Sequence, residues 1–96
     1  MIEIKLSELV GSFAENKDIA KDIRTTKIIP ALNKNEEIIL DFENINSATQ
    51  SFVHALISDL IRKNGIDVLD KISFKSCNDT IKKIINIVID YMQAGE

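Results

Sequence analysis

The stretch Glu37-Glu-Ile-Ile-Leu-Asp-Phe-Glu-Asn-Ile-Asn-Ser-Ala-Thr-Gln-Ser-Phe52 constrains the fold more than any other part of the chain. Ile38-Ile-Leu-Asp-Phe42 is a near-continuous apolar run, the pattern of a central parallel strand covered on both faces. An acidic tip and a polar, hydroxyl-rich turn follow. At Ser47 or Thr49 a helix begins in which Phe52, Leu56 and Leu60 form one i+4 row and Val53, Ile57 and Ile61 form its neighbour. Asn64-Gly65 ends that helix, because glycine accepts the left-handed backbone of a helix stop.

Flanking segments extend the same alternation of strand and helix. Ile2, Ile4 and Leu6 alternate with Glu3 and Lys5, which predicts a half-buried edge strand, and Leu6 to Gly11 reads as a turn or short helix. Asn16 caps a helix with Ile19, Ala20 and Ile23 on one side, yet Ile28, Ile29 and Leu32 fall on another side if that helix stays straight. Pro30 lacks the N–H that would bond to the Thr26 carbonyl, a mid-helix proline costs about 3 kcal/mol, and Thr25-Thr26 adds β-branched crowding. A kink or break is therefore predicted at Thr25 to Lys27. Asn33 to Glu37 is a polar connection. Lys71 to Ser76 reads as a third strand, and the last helix runs to about Met92. Ser76-Cys-Asn-Asp79 has capping-box spacing at its start, with Asn78 as a rival cap. The order β-α-β-α-β-α with short connections predicts one α/β domain over residues 1–96, a small, mostly parallel sheet packed by helices through right-handed crossovers.

Composition narrows the function classes. Ninety-six residues supply one core, and with 45% hydrophobic and 28% charged residues the chain reads as neither disordered nor membrane-spanning. Its apolar runs fall short of the roughly 20 residues a bilayer helix needs. No basic segment followed by a long apolar stretch opens the chain, and the single Cys77 cannot form an internal disulfide, so a cytoplasmic protein is expected. A net charge of −3, no Trp, one Tyr and no continuous basic stripe argue against nucleic acid as a ligand.

Chemical constellations are few. Asp41 at the end of a central strand invites comparison with a phospho-accepting receiver aspartate, but after Leu6 the nearest acid is Glu8, so the acidic pair that would hold Mg²⁺ is missing. Asp41 and Glu43 alternate sides of an extended chain, and Asp41 is expected to accept backbone N–H groups of the next loop. His54, Ser58 and Arg62 fall on one i+4 row, read as a solvated helix face. Neither Ser51 nor Ser58 on the same helix can supply an oxyanion hole to a triad around His54. Cys77 has no second ligand at metal-site spacing, and Gly11, Gly65 and Gly95 form no phosphate-cradling loop. The expectation is a non-enzyme with no metal and no cofactor. In the last helix Ile81, Ile84, Ile85, Ile87, Val88, Ile89, Tyr91 and Met92 span a broad apolar arc, wider than one buried stripe. Either it is sandwiched in the core, or part of it serves self-association.

Ile38-Ile-Leu-Asp-Phe-x-x-Ile45, the Thr49-x-Ser-Phe52 turn and a third strand leading into an Ile-rich helix together resemble the STAS-like domain family of unknown function. That family is related to the STAS domains of bacterial anti-sigma-factor antagonists and sulfate-transporter tails, and the resemblance runs from about Ile19 to Met92. In the antagonists, the loop after the central strand carries a serine that a kinase-like ATPase phosphorylates, and the unphosphorylated loop and helix bind that ATPase. Ser51 falls on that serine's position, with Thr49 where the antagonists have aspartate and Phe52 where they have glycine. The resemblance implies a regulatory or adaptor module. Its partner surface would be the loop of Asn44, Asn46, Ser47, Thr49, Gln50 and Ser51 with the helix face of His54, Ser58 and Arg62. Ser51, and after it Thr49, are the phosphorylation candidates. A phosphate on Ser51 would add about −1.5 to −2 charges at the positive end of a helix, changing the surface while sparing the fold. Asn46, Ser47, Thr49 and Ser51 are also all helix-capping residues, and Ser47-x-x-Gln50 has capping-box spacing. A small-ligand or nucleotide sensor using the carboxyl ends of the strands is the alternative from another class.

Overall fold

The computed structural model describes residues 1–94; Gly95 lies outside them. Strand β1 (Ile2–Lys5) leads into a one-turn helix α1 (Ser7–Val10) and a two-residue strand β2 (Phe13–Ala14). Helix α2 (Lys17–Ile23) passes through a π-helical turn (Arg24–Ile28) into α3 (Ile29–Asn33). Then come β3 (Ile38–Asp41), β4 (Ser47–Ala48), α4 (Gln50–Asn64), a 3₁₀ stretch (Ile66–Lys71), β5 (Ile72–Lys75) and α5 (Asp79–Ala94).

Strands β1, β3 and β5 form a sheet in that spatial order, and both pairings are parallel. The two crossovers step in the same direction. Right-handed crossing therefore lays their helices on one face of the sheet, where α4 packs against α2 on one side and α5 on the other. The core lies between this helical layer and the inward residues Ile4, Ile38, Leu40 and Ile72.

The expectation that the central strand is covered on both faces does not hold. In register, Glu3, Ile39 and Ser73 share the opposite face, with Glu3 and Ser73 exposed and Ile39 half-buried. The apolar run hid this because only the strands on either side of β3 alternate visibly. That open face is spanned by an ion pair between Lys75 Nζ and Glu3 Oε2 at 2.9 Å, which has to cross the central strand. The hydrogen bond and charge of Glu3 raise the Lys75 pKa.

Asn16 caps α2, its Oδ1 accepting from the N–H groups of Asp18 at 2.9 Å and Ile19 at 3.2 Å. The irregularity around Pro30 falls where predicted but is a widened turn, not a break. Ile29 N–H donates to the Arg24 carbonyl, an i→i−5 bond, and the extra residue rotates the following turns so that Ile28 and Ala31 join Ala20 and Ile23 in the core. Pro30 sits in the first turn of α3, where its missing N–H is tolerated. The hydroxyls of Thr25 and Thr26 bond back to the carbonyls of Lys21 at 3.0 Å and Asp22 at 2.6 Å.

In α5 most of the broad apolar arc is sandwiched: Ile81, Ile85 and Val88 are buried, and Ile84, Ile89 and Met92 pack against the core. Its cap is Asn78, whose Oδ1 accepts from Ile81 N–H at 2.9 Å. Ser76 forms no capping box; it takes a left-handed backbone, φ 60°.

Candidate functional site

Strand β3 ends in a turn shaped by its own residues. Asp41, buried, accepts from Glu43 N–H at 2.9 Å, as expected. Ile45 N–H closes the turn on the Phe42 carbonyl at 3.0 Å, and Asn44 occupies positive φ, 67°, which asparagine accepts better than most residues. The following residues are bound down by a feature the sequence reading missed. Strands β2 and β4 pair in parallel, Phe13 opposite Ser47 and Ala14 opposite Ala48. Asn46 N–H donates to the Ser12 carbonyl at 2.7 Å and Thr49 N–H to the Ala14 carbonyl at 3.0 Å. From the other side, Asn78 Nδ2 donates to the Asn46 carbonyl at 2.9 Å. A two-residue strand is too short to leave a period in the sequence.

This clamp redistributes the hydroxyl-rich turn. Ser47 belongs to β4, so neither the Ser47 helix start nor the Ser47-x-x-Gln50 capping box forms. Thr49 is the cap, its Oγ1 accepting from Phe52 N–H at 3.1 Å. Gln50 and Ser51 are the first two residues of α4, both exposed.

Beyond them the outer side of α4 is the floor of a cleft of 720 Å³, walled by α2 and α5. Gln50, Ser51, His54, Ser58 and Arg62 all line it, so the structure brings these five predicted residues together; Asn44, Asn46, Ser47 and Thr49 do not line it. The His54, Ser58, Arg62 row is not a plain solvated face. Ser58 is buried and His54 half-buried, because the flanking helices rise on both sides. His54 meets Tyr91 of α5 edge-on, ring centroids 6.3 Å apart at 64°.

The wall formed by α2 and the start of the π turn consists of Lys17, Lys21 and Arg24, none of which the sequence reading picked out. Their i, i+4, i+7 spacing was the available signal, a short basic row on one helix face. Arg24 is largely buried; it donates to the Ala55 carbonyl at 2.7 Å and pairs with Asp59 Oδ2 at 3.3 Å. Asp59 also holds Arg62 at 2.9 Å. The α5 wall is apolar, made by Ile87, Val88 and Tyr91.

A further cavity, of 620 Å³, lies past the carboxyl end of β5, lined by Phe74, Ser76, Cys77, Lys82, Ile85 and Asn86. Burial pushes the Cys77 thiol pKa up, with Lys82 opposing. Among the described residues no group of three or more His, Cys, Asp or Glu is placed to hold a metal ion, and no helix is long and apolar enough to cross a membrane.

Comparison with curated proteins and with solved structures gives no match to this chain. A family model, the STAS-like domain of unknown function (DUF4325), matches residues 19–82, from within α2 to the first turn of α5. With two thirds of its length matched, including α4 and every strand of the main sheet except β1, the chain belongs to this STAS-like family.

Proposed function

We propose that this chain is a non-catalytic regulatory or adaptor module. It binds a partner protein through the corner from Asn44 to Ser51 and the outer side of α4, and Ser51 is its phosphorylation switch. The partner suggested by kinship with anti-sigma-factor antagonists is a kinase-like ATPase. The observation that carries this reading is the division of labour between Thr49 and Ser51. Thr49 caps α4, and Ser51, two residues later and exposed, is not needed for that task. Its hydroxyl stands at the positive end of the helix, in a cleft shared with Lys17 and Lys21. A phosphate there is tolerated by the fold and inverts the charge of the surface offered to a partner. Thr49 is the poorer acceptor, since modifying its hydroxyl removes the cap.

The test is incubation of the chain with a kinase-like ATPase of the anti-sigma type and ATP. Mass spectrometry is expected to place one phosphate on Ser51, and Ser51→Asp to weaken complex formation by at least about ten-fold, equivalent to 1.4 kcal/mol. Absence of phosphate together with unchanged binding by Ser51→Asp defeats the switch. Absence of any complex with the unmodified chain defeats this partner.

A further inference from the structure

We propose that the cleft over α4 is a binding site for a small amphipathic organic anion, a carboxylate or phosphate group carried on an aromatic or branched aliphatic body. The inference rests on the cavity and does not depend on phosphorylation of Ser51.

Charge selects an anion. Lys17, Lys21, Arg24 and Arg62 line the cleft against one carboxylate, Asp59, although the chain as a whole carries −3. Asp59 is taken up by the two arginines, at 3.3 and 2.9 Å. Lys17 and Lys21, one helical turn apart, have no ion-pair partner among the described residues. They present two ammonium groups along one wall, an arrangement that attracts a negatively charged group.

The opposite wall selects the body of the ligand. Ile87 and Tyr91, also one turn apart, are 47% and 66% exposed, the part of the apolar arc of α5 that the core leaves uncovered. The Tyr91 ring, set against His54, offers a surface for a planar or branched apolar group. On the floor, Ser58, only 3% exposed, lines the cleft with a hydroxyl that can both donate and accept. At 720 Å³ the cleft lies within the roughly 300–1,000 Å³ range of small-molecule sites, which combine apolar lining with a few placed polar groups.

The isotopically labelled full chain can be titrated with indole-3-acetate, phenyl phosphate, the neutral indole-3-ethanol and inorganic phosphate, following backbone amide shifts. Indole-3-acetate or phenyl phosphate, or both, are expected to shift Lys21, His54, Ser58 and Tyr91 with a Kd below about 1 mM; which of them binds identifies the head group. Indole-3-ethanol and inorganic phosphate should bind at least about ten-fold more weakly, because each keeps only one half of the recognition. The double change Lys17→Ala, Lys21→Ala and the single change Tyr91→Ala should each lower affinity about ten-fold while leaving the rest of the spectrum in place. Ser51→Asp, which sets a carboxylate beside the same lysines, should weaken the anions and spare the neutral probe. The proposal is overturned if neither aryl anion binds at about 10 mM, if the neutral analogue binds as well, if the shifts map away from the cleft, or if the lysine and tyrosine variants bind like the parent chain.

Discussion

The corner between β3 and α4 and the cleft along α4 are joined end to end, yet they use polar residues in opposite ways. In the corner, the side chains of Asp41, Thr49 and Asn78 spend their hydrogen-bonding groups on backbone. In the cleft, Lys17, Lys21 and Ser51 keep their heads unengaged among the described residues. Polar side chains in a row are therefore no single signal. Those closing a turn stabilise the fold, and those left without partners are the ones available to a ligand or a partner protein.

The sharpest way to break this contrast is to remove corner residues and measure stability. Asn78→Ala deletes the cap of α5 and its link to the Asn46 carbonyl, and is expected to cost about 2 kcal/mol in urea unfolding. If the cost falls within about 0.5 kcal/mol, typical of an indifferent surface position, the corner is not the clamp described. Thr49→Ala comes next, at about 1 kcal/mol for a lost N-cap, whereas Ser51→Ala should stay within about 0.5 kcal/mol. Equal losses at the two positions would mean that they share the cap. Ser51→Asp is expected to raise stability by about 0.3–1 kcal/mol at low ionic strength, through the helix dipole, and the gain should shrink with salt. A destabilised Ser51→Asp would show that the cleft mouth does not tolerate an anion. The smallest effect concerns Cys77. Burial raises its thiol pKa, so the thiolate fraction at pH 8 is below that of an unperturbed cysteine, and alkylation should be slower and rise only at higher pH. Alkylation at the rate of a free thiol would place Cys77 in open solvent.

Legibility followed period and length. The 3.6-residue rows of α4, the alternation of β1 and the Asn16 cap survived translation into three dimensions because each is a local pattern. The α2 irregularity was located by Pro30 and the phase mismatch between Ile23 and Ile28. Its form as a π turn was not readable, since a widened turn and a broken helix disturb the phase alike. The β2–β4 pair was invisible because its hydrogen bonds join segments more than thirty residues apart and each strand is two residues long. For the same reason Ser47 looked like a cap. Of the candidate site, the α4 row was legible as a row, but its setting as a cleft floor was not, because the walls come from Lys17 to Arg24 and from Ile87 to Tyr91.

By itself the sequence determined the alternation of strands and helices, the apolar rows of the central helix, and the block from Ile38 to Phe52 that carries the family resemblance, all consequences of side-chain periodicity and turn chemistry within a few residues. Only the tertiary structure decided that the sheet is covered on one face, that Thr49 rather than Ser47 or Ser51 caps α4, and that basic and apolar walls face each other across its outer side. Those outcomes depend on which distant backbone groups and helices meet, and contact between remote segments leaves no local pattern in the chain.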